Sequence, residues 1–172
     1  MFHYEKVTSD FKDLKSFKKL YHSAFPACER RSLSPLLAGE VDGSDMFAFY
    51  DDDVFCGLAC LLTVGSITHI IYIAICEELR SRHYGSAAIT EIRCMYPQNT
   101  IIADLEADNE TAKNHEQRQS RIRFYKNNGF EKTSIAYRWC HENYVIYALG
   151  EMITENEFDN FWKYYYDGKG QN

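Results

Sequence analysis

Apolar positions along the chain change their spacing from segment to segment, and those changes delimit the elements. Phe11, Leu14, Phe17, Leu20 and Tyr21 recur at helical spacing, with Asp10 at the N-cap position, and Phe25-Pro26 ends this first amphipathic helix. Ser34-Pro35 reads as the N-cap and first residue of a short second helix. Met46 to Tyr50 and Val54 to Val64 read as the strands of a hairpin about the turn Asp51-Asp52-Asp53. Gly65-Ser66 then leads into Ile67–Ile75, β-branched and apolar throughout, the composition of a buried strand. Ala87, Ala88, Ile89, Ile92, Met95 and Tyr96 form one helical face that Pro97 closes. Thr100 to Ala107 is a further strand, and the polar stretch Asp108 to Gln119 leads into a helix holding Phe124 and Tyr125. Gly129 fits a left-handed C-cap, with Phe130 folding back on the last turn. Glu131 to Cys140 and Tyr144 to Leu149 read as two last strands. Thr154-x-x-Glu157 is a capping box ahead of a helical aromatic face, Phe158, Phe161, Trp162 and Tyr165. That face suits packing on the core or, alternatively, a dimer contact.

The predicted order, ααβββαβαββα, describes one mixed α/β domain with no repeat and no linker-like boundary. Its main body spans 1–150, the aromatic helix at 151–166 packs on it, and 167–172 is a flexible tail. A length of 172 residues supports a single core. A hydrophobic content of 45% excludes a disordered chain. No apolar run approaches the ~20 residues of a membrane span. Met1 to Lys6 lacks the apolar core of a signal peptide, so a cytoplasmic setting is expected. The cysteines Cys28, Cys56, Cys60, Cys76, Cys94 and Cys140 form no C-x-x-C pair and read as reduced, buried thiols rather than zinc ligands or disulfides. The acidic triplet reads as a solvated turn rather than a calcium loop, so no metal is expected. A net charge of −6 argues against nucleic acid as a partner and suits a cationic, amine-bearing one.

The chemistry concentrates in Arg80-Ser81-Arg82-His83-Tyr84-Gly85-Ser86, between the Ile67–Ile75 strand and the following helix. The first amides of a helix have no partners within it, and its dipole favours negative charge there. Two arginines beside that terminus point to a ligand carrying phosphates.

At these residues the sequence resembles the GNAT superfamily of acetyl-CoA-dependent N-acetyltransferases, whose signature is Gln/Arg-x-x-Gly-x-Gly/Ala after the fourth strand. Arg80 and Gly85 match, and His83 stands where the first glycine is expected. Arg121-Ile122-Arg123-Phe124-Tyr125-Lys126-Asn127-Asn128-Gly129-Phe130 resembles the family's later FY…GF segment. The resemblance implies an α/β, single-domain fold. Its central sheet is mixed and mostly antiparallel, flanked by helices, and the fourth and fifth strands splay apart to admit the cofactor's pantetheine arm.

The resemblance further implies acetyl-CoA as co-substrate. Backbone groups near Ile73, Ala74 and Ile75 would meet the pantetheine arm. Arg80, Ser81, Arg82, His83, Tyr84, Gly85 and Ser86 would hold the pyrophosphate. A β-carbon at His83 crowds the phosphate, or its imidazole bonds to it. Tyr125 matches the tyrosine near the cofactor sulfur in many relatives; a phenol with an ordinary pKa near ~10 can protonate the leaving thiolate. An asparagine after the fifth strand often touches the pantetheine arm, and Asn109 and Asn114 both qualify. Arg118 and Arg121 suit either the distal phosphate or a solvated face. For the base, strict alternation puts His69 on one face with Ile71, Ile73 and Ile75, where it is a catalytic base or a structural histidine. Asp104 and Glu106 share a face with Ile102, and Glu106 can take the amine's proton through a water. Glu29 can attract the acceptor, and Tyr137, Trp139 and Tyr144 line an acceptor pocket or belong to the core.

The expected activity is acetyl transfer to a small-molecule or peptide amine, by a monomer or homodimer. The alternative is a non-catalytic acyl-CoA-binding sensor or interaction module on the same fold. The G-x-G-x-x-G of a dinucleotide site and the P-loop motif are both absent.

Overall fold

In the computed structural model, which describes residues 1–166, the strands are β1 (Phe2–Lys6), β2 (Ser44–Asp51), β3 (Val54–Val64), β4 (Ile67–Ile75), β5 (Thr100–Glu106), β6 (Glu131–Trp139) and β7 (Glu142–Leu149). The helices are α1 (Leu14–Ala24), α2 (Leu33–Leu37), α3 (Tyr84–Met95), α4 (His115–Asn127) and α5 (Glu155–Tyr166). The strands form one sheet in the order β1-β2-β3-β4-β5-β7-β6. All neighbouring pairs are antiparallel except β4 and β5, which are parallel. The tail at 167–172 and the side chain of Tyr165 lie outside the described residues.

Three apolar clusters fill the space between sheet and helices. Ala88, Ile89 and Ile92 of α3 and Tyr125 of α4 pack on Phe47, Leu61, Ile70, Ile101 and Leu105 of one sheet face. On the other face, Phe17, Leu20 and Tyr21 of α1 cover Ala48, Leu58 and Tyr72, and Phe158 and Phe161 of α5 cover Ile67, Ile102 and Ile146. The capping box at α5 closes as the spacing predicts: Glu157 accepts from the Thr154 amide (2.7 Å) and hydroxyl (2.8 Å), and Thr154 Oγ1 accepts from the Glu157 amide (3.2 Å).

Several local expectations are corrected. β1 is absent from the pattern read off the sequence. Its five residues are half-buried or exposed without alternation and none is buried, so no clear period survives. Cross-strand ring contacts hold it to β2, with Phe2 stacked on Phe49 and His3 on Tyr50. Asp13, not Asp10, occupies the N-cap of α1 and makes no side-chain cap; its carboxylate accepts instead from the Tyr50 hydroxyl (2.7 Å). α2 begins at Leu33 behind Ser32, two residues earlier than the Ser34-Pro35 reading. α4 starts at His115, inside the stretch expected to be irregular. Cys28 and Cys94 are exposed, not buried.

The correction that matters most lies in β4. Cys60 pairs with Tyr72 but Leu61 pairs with Ile70, so Ile71 is a bulge residue without a β3 partner. The extra residue reverses the alternation. Ile70 and Ile73 face α3 and α4, whereas His69 packs against α5. His69 therefore does not share a face with Ile73. Parallel pairing of β4 with β5 also ends here, at Ile70↔Ala103, although β4 runs on to Ile75 and β5 to Glu106. The two strands splay apart as expected.

Gly57 of β3 lies beneath the free end of β4, where a β-carbon would sit 2.4 Å from the Ala74 carbonyl oxygen and 2.7 Å from Ile75 Cδ1. The first of these is backbone and cannot swing away. Gly57→Ala is expected to destabilise the fold by about 1–3 kcal/mol, read in a thermal melt as a fall of roughly 2–4 °C per kcal/mol. An unchanged melting temperature would show that β4 is free to move off β3.

Candidate active site

Three features meet at the fork between β4 and β5. The first is the chain that leaves β4. After a short 3₁₀ turn, Glu77–Leu79, the backbone enters the left-handed region at Ser81 (φ 63°) and again at His83 (φ 64°). Alternating left-handed residues make the kind of backbone concavity that collects anions. The ladder of α3 begins with the Ala87 amide donating to the His83 carbonyl (3.0 Å), and His83 supplies no side-chain cap. Outside that ladder, the amides of Ser81 to Ser86 make no hydrogen bond among the described residues. Arg80 and Arg82 flank them. Tyr84 anchors the helix start by donating to Asp51 (2.8 Å) and stacking on Phe2. Gly85 lets α3 approach α4, since a β-carbon there would lie 3.0 Å from the Phe124 ring. Ile73, Ala74 and Ile75 lie on the part of β4 that has no β5 partner. An elongated ligand with a phosphate end fits this combination: free amides at one end and an unpaired strand edge leading away from them.

The second feature is α4. Tyr125 is buried (7% exposed), makes edge contacts with Phe124 and Phe130, and its hydroxyl has no hydrogen-bond partner among the described residues. Burial, reinforced by the charge of Asp104, pushes its pKa well above the ordinary phenol value, so it holds its proton throughout the physiological range. A network at the end of β5 fixes the helix. Glu106 Oε1 accepts from Asn114 Nδ2 (3.1 Å) and pairs with Arg118 (3.5 Å), and Oε2 pairs with Arg121 (2.5 Å). Arg118 is 4% exposed; it also donates to Asn114 Oδ1 (2.7 Å) and the Ala107 carbonyl (3.1 Å) and pairs with Glu142 (2.9 Å). Arg118 and Asn114 thus bind within the protein, and Asn109 accepts from the Thr111 amide and hydroxyl.

The third feature is a wall on the opposite sheet face. Direct cross-strand pairing sets Tyr144 beside Glu106 and Tyr137 beside Tyr144. The two tyrosine rings stack at 5.6 Å. Tyr137 donates to Asp104 Oδ2 (2.8 Å), and Tyr144 donates to Glu29 Oε1 (2.6 Å). Burial, then these carboxylates, raise the pKa of Tyr137 and of Tyr144. Tyr72 fastens the same loop, donating to the Glu29 carbonyl (2.6 Å) and accepting from the Arg31 amide (2.9 Å). His69 is fully buried; its Nε2 bonds to Asp104 Oδ1, while its Nδ1 has no partner among the described residues. Trp139 stands apart, 48% exposed.

Glu29, Tyr137 and Tyr144 stand together through the Tyr144–Glu29 hydrogen bond and the tyrosine stack, and the Asp104–His69–Tyr137 cluster needed the register of four strands to become visible. A separate cavity of 350 Å³, lined by Ile89, Arg93, Cys94 and Asn128, sits toward the far end of α3 from the 81–86 loop. No cluster of His, Cys, Asp and Glu suited to a metal occurs among the described residues.

Residues 14–130 match the family model for the Acetyltransferase (GNAT) family. No curated protein sequence matches the chain. Among solved structures, the chain is similar to a GNAT-family protein from Bacteroides thetaiotaomicron, with TM-score 0.78 and 18% identity over 99% of each chain. It is also similar to the ribosomal-protein-S18-alanine N-acetyltransferase of Escherichia coli, with TM-score 0.62 and 19% identity over 91% of this chain and 98% of that one. A Bacillus subtilis acetyltransferase in complex with CoA aligns with TM-score 0.61 and 14% identity, over 88% of this chain and 100% of that one.

The left-handed backbone at His83 carries a cost that glycine avoids, about 1–2 kcal/mol per residue. His83→Gly is expected to leave the melting temperature unchanged or to raise it, because the relief outweighs or offsets glycine's extra freedom in the unfolded chain. A clear fall in melting temperature would mean that the imidazole holds the loop.

Proposed function

The chain belongs to the GNAT acetyltransferase family, and from that premise we propose that it moves an acetyl group from acetyl-CoA to a primary amine by direct transfer. The observation that carries this reading is the fork. We take the free amides of residues 81–86, the unpaired edge of β4 and the α4 tyrosine to border one opening, with the carboxylate–tyrosine wall on its other face; the early end of β4–β5 pairing and the unpartnered amides support this.

In the proposed reaction the amides of Ser81 to Ser86, with Arg80 and Arg82, bind the pyrophosphate of acetyl-CoA, and the backbone of Ile73, Ala74 and Ile75 meets the pantetheine arm. The acceptor approaches from the side of Glu29, Tyr137 and Tyr144. A neutral amine attacks the thioester carbonyl carbon, the C–S bond breaks, and Tyr125 gives its proton to the leaving thiolate. Its raised pKa suits a donor that must remain protonated until that step. Asn114 acts on the cofactor through α4, whose start it ties to Glu106. The acceptor is a small-molecule or peptide amine. No helix among the described residues is long and apolar enough to cross a membrane; a cytoplasmic setting is part of the proposal. Packing of Phe158 and Phe161 into the core leaves the aromatic helix engaged within its own chain, compatible with a monomer or with a homodimer formed elsewhere.

One observation favours a second reading, an acyl-CoA-binding module without turnover. His83 places a side chain on a left-handed residue where the family's motif has glycine. Two measurements separate the readings. Acetyl-CoA at about 100 times its Kd should stabilise the fold by roughly 2.7 kcal/mol, with CoA acting similarly and NAD having no effect. Absence of any shift at millimolar acetyl-CoA would defeat both readings. With amines present, wild type is expected to release CoA, and Tyr125→Phe to do so about ten-fold or more slowly at unchanged acetyl-CoA affinity. Binding without release would favour the module, and an unaltered Tyr125→Phe rate would remove Tyr125 from the chemistry.

A further inference from the structure

Asp104 and Glu106 stand on the same face of β5, and their surroundings separate them. Glu106 is committed to Asn114 and to two guanidinium groups, from Arg118 and Arg121. A proton placed on Glu106 would break those pairs and loosen the start of α4. Asp104 sits one residue beyond the last β4–β5 pairing, at the mouth of the fork, with its side chain 23% exposed. It accepts from Tyr137 and bonds to His69 Nε2, and no guanidinium pairs with it among the described residues. A carboxylate offers about four lone-pair positions, so two such partners leave room for the N–H of an amine.

The histidine's own environment fixes its role. Phe161 and Trp162 rings stand edge-on to it at 5.6 Å and 5.4 Å, and nothing polar meets Nδ1 among the described residues. An unpaired lone pair in such surroundings costs less than an orphaned N–H. The proton therefore belongs on Nε2, where it donates to Asp104.

We propose, resting on the acetyltransferase reading above, that Asp104 is the group that takes the proton from the acceptor ammonium, with His69 and Tyr137 as positioning residues that hold its carboxylate toward the fork. The ammonium N–H bond breaks, its electron pair stays on nitrogen, and an O–H bond forms on Asp104. After attack, the nitrogen of the tetrahedral adduct is positive and sheds a second proton. As the C–S bond breaks, Tyr125 gives its own proton to the CoA thiolate and takes up that second proton from the nitrogen, directly or through water, which restores the phenol. Asp104 releases the first to water once the amide leaves, so each turnover yields the amide, CoA thiol and one proton.

The charged and titratable groups around Asp104 are His69 on β4, Glu106 on β5, Tyr125, Arg118 and Arg121 on α4, Tyr137 on β6, Tyr144 on β7 and Glu29 on the α1–α2 loop. The test is the pH dependence of kcat/KM, from CoA release with saturating acetyl-CoA and either spermidine or a peptide with a free α-amino end. Wild type that binds acetyl-CoA but turns over neither probe would overturn the acetyltransferase reading and this proposal together. With wild type active, Asp104→Asn is expected to lose about 10²-fold in kcat/KM at pH 7, with acetyl-CoA affinity within two-fold and the deficit narrowing as pH approaches the acceptor's own pKa. A rate within three-fold of wild type and a superposable profile would overturn the proposal while leaving the transferase reading standing. Should Asp104→Asn fail to fold, Tyr137→Phe, which removes one O–H donor from the carboxylate, is expected to move the acid limb to higher pH. A uniform loss with an unmoved limb would count against it. His69→Gln, which keeps an N–H donor, should retain more activity than His69→Leu; equal losses would overturn the positioning role.

Discussion

Everything distinctive in this molecule depends on a parallel strand pair that stops early. Parallel strands left together would continue pairing to their ends, because unpaired backbone groups inside a sheet are costly. Here the bulge at Ile71 turns the second half of β4 away, and pairing with β5 ends at Ala103. β4 keeps its β3 partner and β5 keeps its β7 partner, so each strand stays held on its outer side. The result is an opening edged by main-chain groups that do not hydrogen-bond across it. Such an edge is stable only with water or a ligand against it. Gly57 serves the same end, allowing β3 to lie close under the diverging half of β4.

An opening of this kind also needs its rims fixed. On one side that task falls to Arg118, a buried guanidinium with four protein partners spread over β5, β7 and the start of α4. Removing one partner of such a pair leaves a charge without compensation, so the network constrains geometry more than it adds stability. Tyr125 lies two helical turns further along the same helix, and its position is set by that anchor. On the other side, Tyr72, Tyr137 and Tyr144 replace charge pairs with hydroxyl donors. Rings that stack and also donate hold their carboxylates in place without neutralising them.

The sequence disclosed those parts whose signals are local. The run Ile67–Ile75 reads as a buried strand because both its faces are covered, and the 80–86 loop reads as an anion site because a strand, a basic segment and a helix follow one another. The bulge stayed hidden for the same reason that the strand was obvious: Ile70, Ile71, Tyr72 and Ile73 are all apolar, so an added residue leaves no break in the pattern. Strict alternation accordingly groups His69 with Ile73, which packs on the other face. β1 escaped because an edge strand half exposed on both faces has no period to read. The union of Asp104 with Tyr137 and His69 depends on pairing registers among segments tens of residues apart, which no window along the chain contains.

Charge is distributed across the fork as unevenly as the hydrogen bonds. Arg80 and Arg82 flank the free amides at the start of α3, where the helix dipole adds to their field. Glu29 and Asp104 line the opposite wall, while Glu106 and Glu142 share the cations of α4. A net charge of −6 therefore does not describe the surface that a ligand meets. An anionic co-substrate entering from the carboxylate side would be repelled, and a cationic acceptor entering from the arginine side would be repelled as well. Within about one Debye length, ~8–10 Å at physiological salt, such fields orient a ligand before contact. The fork is therefore polar from one side to the other, cationic at the start of α3 and anionic at Glu29 and Asp104.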